Sequence, residues 1–115
     1  MQQDSRARPR RHLFYYLRVY DATSGHLLGR LVDLTSDAVM LLTTQPLPAN
    51  SAYRLRLELP REMDPQLDVV LDASSLWCRR DERLDLYRVG FQLLKIARGS
   101  RSVVKSMIFK FALAN

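Results

Sequence analysis

Residues 52–59, AYRLRLEL, alternate almost without a break. Tyr53, Leu55, Leu57 and Leu59 fall on one side, and Arg54, Arg56 and Glu58 on the other. A period of two predicts a strand with one buried and one wet face. Other runs read the same way with less regularity. Residues 13–20, LFYYLRVY, are aromatic and β-branched, which suits a first strand. D-A-T-S-G at 21–25 is turn chemistry, and HLLGRLVD at 26–33 is the returning strand. AVMLLTT at 38–44 gives a third strand, QPLPAN at 45–50 a loop, and 52–59 the fourth strand. PREMDP at 60–65 is a second loop. A long strand follows at 67–78, with a bend or bulge expected near Ala73–Ser75. RRDERLD is a charged hairpin connection, and LYRVGFQLLK at 86–95 is the last strand.

The period then changes. After Gly99, the residues Val103, Val104, Met107, Ile108 and Phe111 recur at helical spacing, with Ser100 or Ser102 as N-cap. Such a stripe predicts an amphipathic C-terminal helix packed on the sheet. Six short strands followed by one helix predict an all-β fold, a small antiparallel six-stranded barrel with a C-terminal helix. Closure would remove the edge strands.

Charge adds a feature that the strand pattern lacks. The 115 residues carry a formal charge of +6, and half of it sits at one end, where four arginines face only Asp4 in residues 1–12. That stretch reads as a mobile basic arm, followed by a barrel over 13–98 and the helix over 99–115. A basic balance favours an anionic partner: nucleic acid, a membrane surface or a phosphorylated small molecule. Cys78 is the one cysteine, so neither a disulfide framework nor a Cys-based zinc site is available. No apolar run approaches the ~18–20 residues that span a bilayer. A cytoplasmic protein without a membrane span is expected.

Catalytic signatures are weak. His12 and His26 stand apart, and the carboxylates are scattered through turns without an evident pair. The glycines form no phosphate loop. No enzyme activity and no cofactor are expected. Binding signatures are stronger. In R-A-R-P-R, Arg6 and Arg10 stand four apart around Pro9, which stiffens the segment. Guanidiniums can fork phosphate oxygens or lie on a purine ring. In D-L-T-S-D-A at 33–38, Asp33 ends a strand and Thr35 follows by two. An extended backbone would aim both side chains the same way, a carboxylate for guanine N–H donors beside a hydroxyl. The plain alternative is a turn that caps the strand end.

R-x-x-x-R before the first strand, the D-L-T-S-D-A turn, the S-L-W-C run at Trp77 and Y-R-V-G-F at 87–91 together resemble the PilZ domain family. The resemblance covers nearly the whole chain. It implies a six-stranded PilZ-like β-barrel that binds the bacterial second messenger cyclic di-GMP. Arg6 and Arg10 would then hold phosphate and stack on guanine, with Arg8 and Arg11 as auxiliary phosphate contacts. Asp33 and Thr35 would take the acid and hydroxyl roles, and Ala38 the position of close approach. Thr35 stands where the family usually has Ser, and Ala38 where it has Gly. If that backbone needed positive φ, alanine would cost on the order of 1 kcal/mol. The implied function is a receptor or adaptor whose arm changes conformation on binding and signals to a protein partner, itself unidentified. The alternative is a divergent PilZ-like adaptor that acts by protein contact without nucleotide. A barrel that binds nucleic acid through the arm and Phe14, Tyr15 and Tyr16 is the least favoured reading.

Overall fold

The structure, a computed structural model, describes residues 17–59 and 68–114, the last four by their backbone. Six strands form a closed antiparallel barrel: β1 (Arg18–Asp21), β2 (Leu27–Leu34), β3 (Ala38–Thr43), β4 (Ala52–Glu58), β5 (Asp68–Asp81) and β6 (Leu86–Ile96). The order around the barrel is β1-β2-β3-β6-β5-β4. A 3-10 turn (Arg98–Ser100) leads into the helix α1 (Arg101–Ala114). The expected fold class is therefore the one observed.

β4 follows its alternation. Leu55 and Leu57 are fully buried and Leu59 nearly so, while Arg54 and Glu58 face solvent. Val19, Leu31, Leu41, Val69, Leu71 and Val89 join them in one core. Apolar burial of this kind is the main favourable term in folding. The helix contributes Val104 and Met107 to the same core, both with no exposure, and it packs against β2. Its apolar stripe is thus a packing face. Ser100, one of the two N-cap candidates, ends the 3-10 turn and directly precedes the first helical residue, Arg101. It is buried, and its Oγ accepts the Val70 N–H at 3.0 Å.

Most strand boundaries fall within a residue of expectation, and the largest shift is in β5. β5 runs on to Asp81 rather than stopping at Cys78, because Arg79 and Arg80 pair with Arg88 and Tyr87 of β6 and point their heads outward. The expected first strand is described from Leu17 only; residues 13–16 lie outside the described residues, as do the arm and the 60–65 loop. The D-A-T-S-G turn forms as expected. Asp21 Oδ1 accepts the Thr23 N–H, and Gly25 takes φ +82, a value that glycine adopts without a Cβ penalty.

Candidate functional site

The site begins with a break in alternation at the end of β2. Leu31 is buried, so strict alternation would turn Asp33 inward with it. The register shifts instead: Leu31 pairs with Leu41, but Asp33 pairs with Met40. The extra residue, Val32, is a bulge. It moves Leu34 into the core at 1% exposure and swings Asp33 to the outer wall. There Asp33 Oδ1 accepts the Leu34 N–H at 2.9 Å.

Thr35 lies beyond the strand, in the turn to β3. Its Oγ1 accepts the Asp37 N–H at 3.3 Å and the Ala38 N–H at 3.1 Å, and its own N–H donates to the Ala38 carbonyl at 2.9 Å. The extended backbone that would align Thr35 with Asp33 is absent, and the turn-capping alternative is what forms. A hydroxyl has two acceptor lone pairs and one O–H. Two backbone donors use the lone pairs, so the O–H is what Thr35 has left for a ligand. The Asp37 carbonyl accepts the Leu93 N–H at 2.8 Å, which ties the turn to β6.

Ala38 opens β3 opposite Gln92. Among the described residues, positive φ occurs only at Gly25, Asn50 and Asp85. Alanine at 38 therefore carries no left-handed strain, and its methyl only occupies space. Asp33 and Ala38 together line a shallow pocket of about 110 Å³ with Met40, Leu76, Trp77 and Gly90. Thr35 is not among the residues that line it.

Trp77 is a pocket member that neither motif marks as a site residue. A second register shift, between Ser75 and Trp77, makes Leu76 an extra residue and sets the indole opposite Gly90. A Cβ on Gly90 would collide with the indole at Cε2, Cζ2 and Nε1. Glycine there lets the ring lie flat across β6. The Arg79 guanidinium stands 5.3 Å from the ring centroid, within cation–π range. The signal available in the sequence was the pairing of one tryptophan with one glycine on adjacent predicted strands.

Arg6, Arg10 and Arg11, the arginines expected to grip phosphate, lie outside the described residues, and so does Arg8. The first described residue, Leu17, has a defined place: its carbonyl accepts the Leu31 N–H at 2.8 Å, two positions before Asp33. Among the described residues no three His, Cys, Asp or Glu side chains are grouped to hold a metal ion. No helix among them is long and apolar enough to cross a membrane.

Comparison with known proteins agrees with this architecture. The fold is similar to that of the Bacillus subtilis inhibitor of motility MotI/DgrA, with a TM-score of 0.59 at 12% identity. The match covers 86% of this chain but only 46% of that one, so this chain spans about half its length. No curated protein matches the sequence. The PilZ domain model matches residues 4–110, from the arginine-rich segment through most of α1. The chain therefore belongs to the PilZ domain family, whose domains are non-catalytic receptors of the cyclic di-GMP type.

Proposed function

We propose that this protein binds cyclic di-GMP on the outer wall beside Asp33, with the arginine segment closing over the ligand. The carrying observation is the Val32 bulge. It presents Asp33 outward, next to Ala38 and the flat face of Trp77, on a wall that regular pairing would have made core. The carboxylate would accept guanine N–H donors, and the indole offers a stacking surface. The Thr35 O–H would donate to a base or phosphate acceptor.

Chain length supports closure by the arginines. Leu17 lies beside Leu31, two residues or ~7 Å along β2 from Asp33. Arg10 precedes Leu17 by seven residues and Arg6 by eleven, which allows reaches of up to ~25 Å and ~40 Å. Both can meet a ligand seated at Asp33. The pocket itself is far smaller than a dinucleotide, so most of the ligand surface would have to be covered by residues 1–12. Ordering that segment over the ligand would change the surface that a protein partner reads.

The backbone at Ala38 does not take positive φ, so the cost that alanine would carry there does not arise. The methyl remains, and it favours weaker rather than absent binding, since about 1.4 kcal/mol is one decade of affinity. Titration calorimetry with cyclic di-GMP on the intact chain tests the proposal. Saturable binding is expected, weakened at least about tenfold by Arg10→Ala and by Asp33→Ala. Asp33→Ala should weaken cyclic di-GMP more than a linear phosphate ligand. No heat from the intact chain would refute the receptor role and leave the adaptor that acts by protein contact.

A further inference from the structure

A second concave site lies elsewhere on the wall and shares no residue with the Asp33 pocket. Its base is a cross-strand row: Arg54 of β4 pairs with Asp72 of β5, and Asp72 pairs with Lys95 of β6. Past Ile96 the chain folds back as the 3-10 turn. Two hydrogen bonds fix that turn to a single residue of β5. The Ala97 N–H donates to the Val70 carbonyl at 3.0 Å, and the Val70 N–H donates to Ser100 Oγ at 3.0 Å. Ser100 is 3% exposed, so the clamp is a buried one. It sets Arg98 and Arg101 on the rim above the row and encloses a cleft of about 340 Å³.

The charge in this cleft does not balance. Four cations, Arg54, Lys95, Arg98 and Arg101, face one carboxylate, Asp72. That carboxylate is already committed. It accepts from Arg54 Nε at 2.9 Å and from the second guanidinium nitrogen at 3.4 Å. Among the described residues, Arg98, Arg101 and Lys95 form no ion pair. The first turn of α1 holds no acidic residue either, so the positive end of its dipole adds to the same field. Like charges gathered in a concavity repel one another, and a bound anion relieves that repulsion.

We propose that this cleft binds the phosphate group of a small soluble ligand, independently of the Asp33 site. The guanidiniums of Arg98 and Arg101 supply planar forks for its oxygens, and Lys95 supplies a point charge from the base of the cleft. Asp72 holds Arg54 in place rather than meeting the ligand. The cleft is larger than one phosphate group needs, and Val70 and Ile96 give the remainder of the ligand an apolar surface. Along β5, Asp72 and Trp77 are five residues apart, ~16 Å of strand, so the two sites can fill separately.

Inorganic pyrophosphate is the probe for the test, titrated into the intact isotope-labelled chain at physiological ionic strength and followed by amide chemical shifts. Saturable shifts confined to residues 95–103 and their neighbours on β4 and β5 are expected. The Arg98→Ala/Arg101→Ala double variant should lose at least about tenfold in affinity, and Lys95→Gln, which leaves the 3-10 turn untouched, should lose less. Both variants should bind cyclic di-GMP as the unmodified chain does, so failure here is distinguishable from failure at Asp33. Shifts that grow linearly without saturation, or that persist unchanged in the double variant, overturn the proposal. So does binding to phosphatidylglycerol vesicles in the absence of any saturable response to pyrophosphate.

Discussion

Along β4 the alternation never breaks. Leu55 and Leu57 are fully buried, and the outward cations find carboxylates on the next strand: Arg54 meets Asp72 at 2.9 Å and Arg56 meets Asp68 at 3.7 Å. Arg56 also lies 4.3 Å from the Tyr20 ring centroid. At the end of β2 the alternation breaks once, at Val32, and the neighbouring stretch of β5 breaks at Leu76. Here the outward groups do not neutralise one another. Asp33 accepts one backbone N–H and pairs with no cation among the described residues. A regular wall spends its polar side chains on itself. A bulged wall can present a carboxylate and an aromatic face to something else, which is why bulges gather near binding sites.

The largest expected effect separates the two regions most sharply. Leu57→Ala removes a side chain with no exposure and should cost about 2–5 kcal/mol in urea unfolding. Asp33→Asn, by contrast, keeps an acceptor for the part-buried Leu34 N–H and should move stability by no more than about 1 kcal/mol. If the two variants unfolded at similar urea concentrations, Asp33 would be a structural residue and the division between wall and site would fail.

An intermediate effect tests the second bulge. Gly90→Ala drives a methyl into the Trp77 indole and should cost about 1–3 kcal/mol, the usual range for overpacking. Trp77→Ala removes the obstacle. In that background the same glycine change should cost markedly less, so a double-mutant cycle should show strong coupling. Additive losses would mean that glycine is needed at 90 for another reason.

These two regions also differ in how far they could be read from residues alone. The AYRLRLEL strand, the D-A-T-S-G turn and the helical stripe with Val104 and Met107 follow from periodicity and turn chemistry, because each is decided within a few neighbouring residues. Asp33 is legible as a motif residue, yet its outward direction depends on a register shift against Met40 that the local pattern does not encode. Thr35 was expected to face a ligand beside Asp33, and the competing turn took its lone pairs. Whether Ala38 is strained depends on its φ, which the sequence does not contain. Trp77 joins the pocket through the ring's placement over Gly90, a contact between residues thirteen apart. The basic cleft is hidden for the same reason: Arg54 and Arg101 are distant in sequence and meet only because a 3-10 turn folds back on Val70.

The smallest expected effect concerns acid. Arg54 lowers the Asp72 pKa, chiefly by its hydrogen bond and then by charge, with Lys95 adding to it. At the β5–β6 hairpin, the hydrogen bond from Arg88 is the main cause of a lowered Asp81 pKa, helped by the Leu84 N–H. A carboxylate whose pKa is lower in the folded state contributes stability above its unfolded pKa, about 3.9, and loses it as pH falls through the folded value. The contribution of these two groups should therefore be full and independent of pH near neutrality, and the melting temperature should decline below about pH 4. Both arginines reach solvent, which screens the pairs, so the decline should be shallow. Asp81→Asn should flatten part of the acid limb, and Asp72→Asn a further part, while the neutral-pH melting temperature drops slightly in each. An acid limb identical in the parent and both variants would mean that these ion pairs store no stability, and that the barrel wall around β4 and β5 stands on its buried leucines and valines alone.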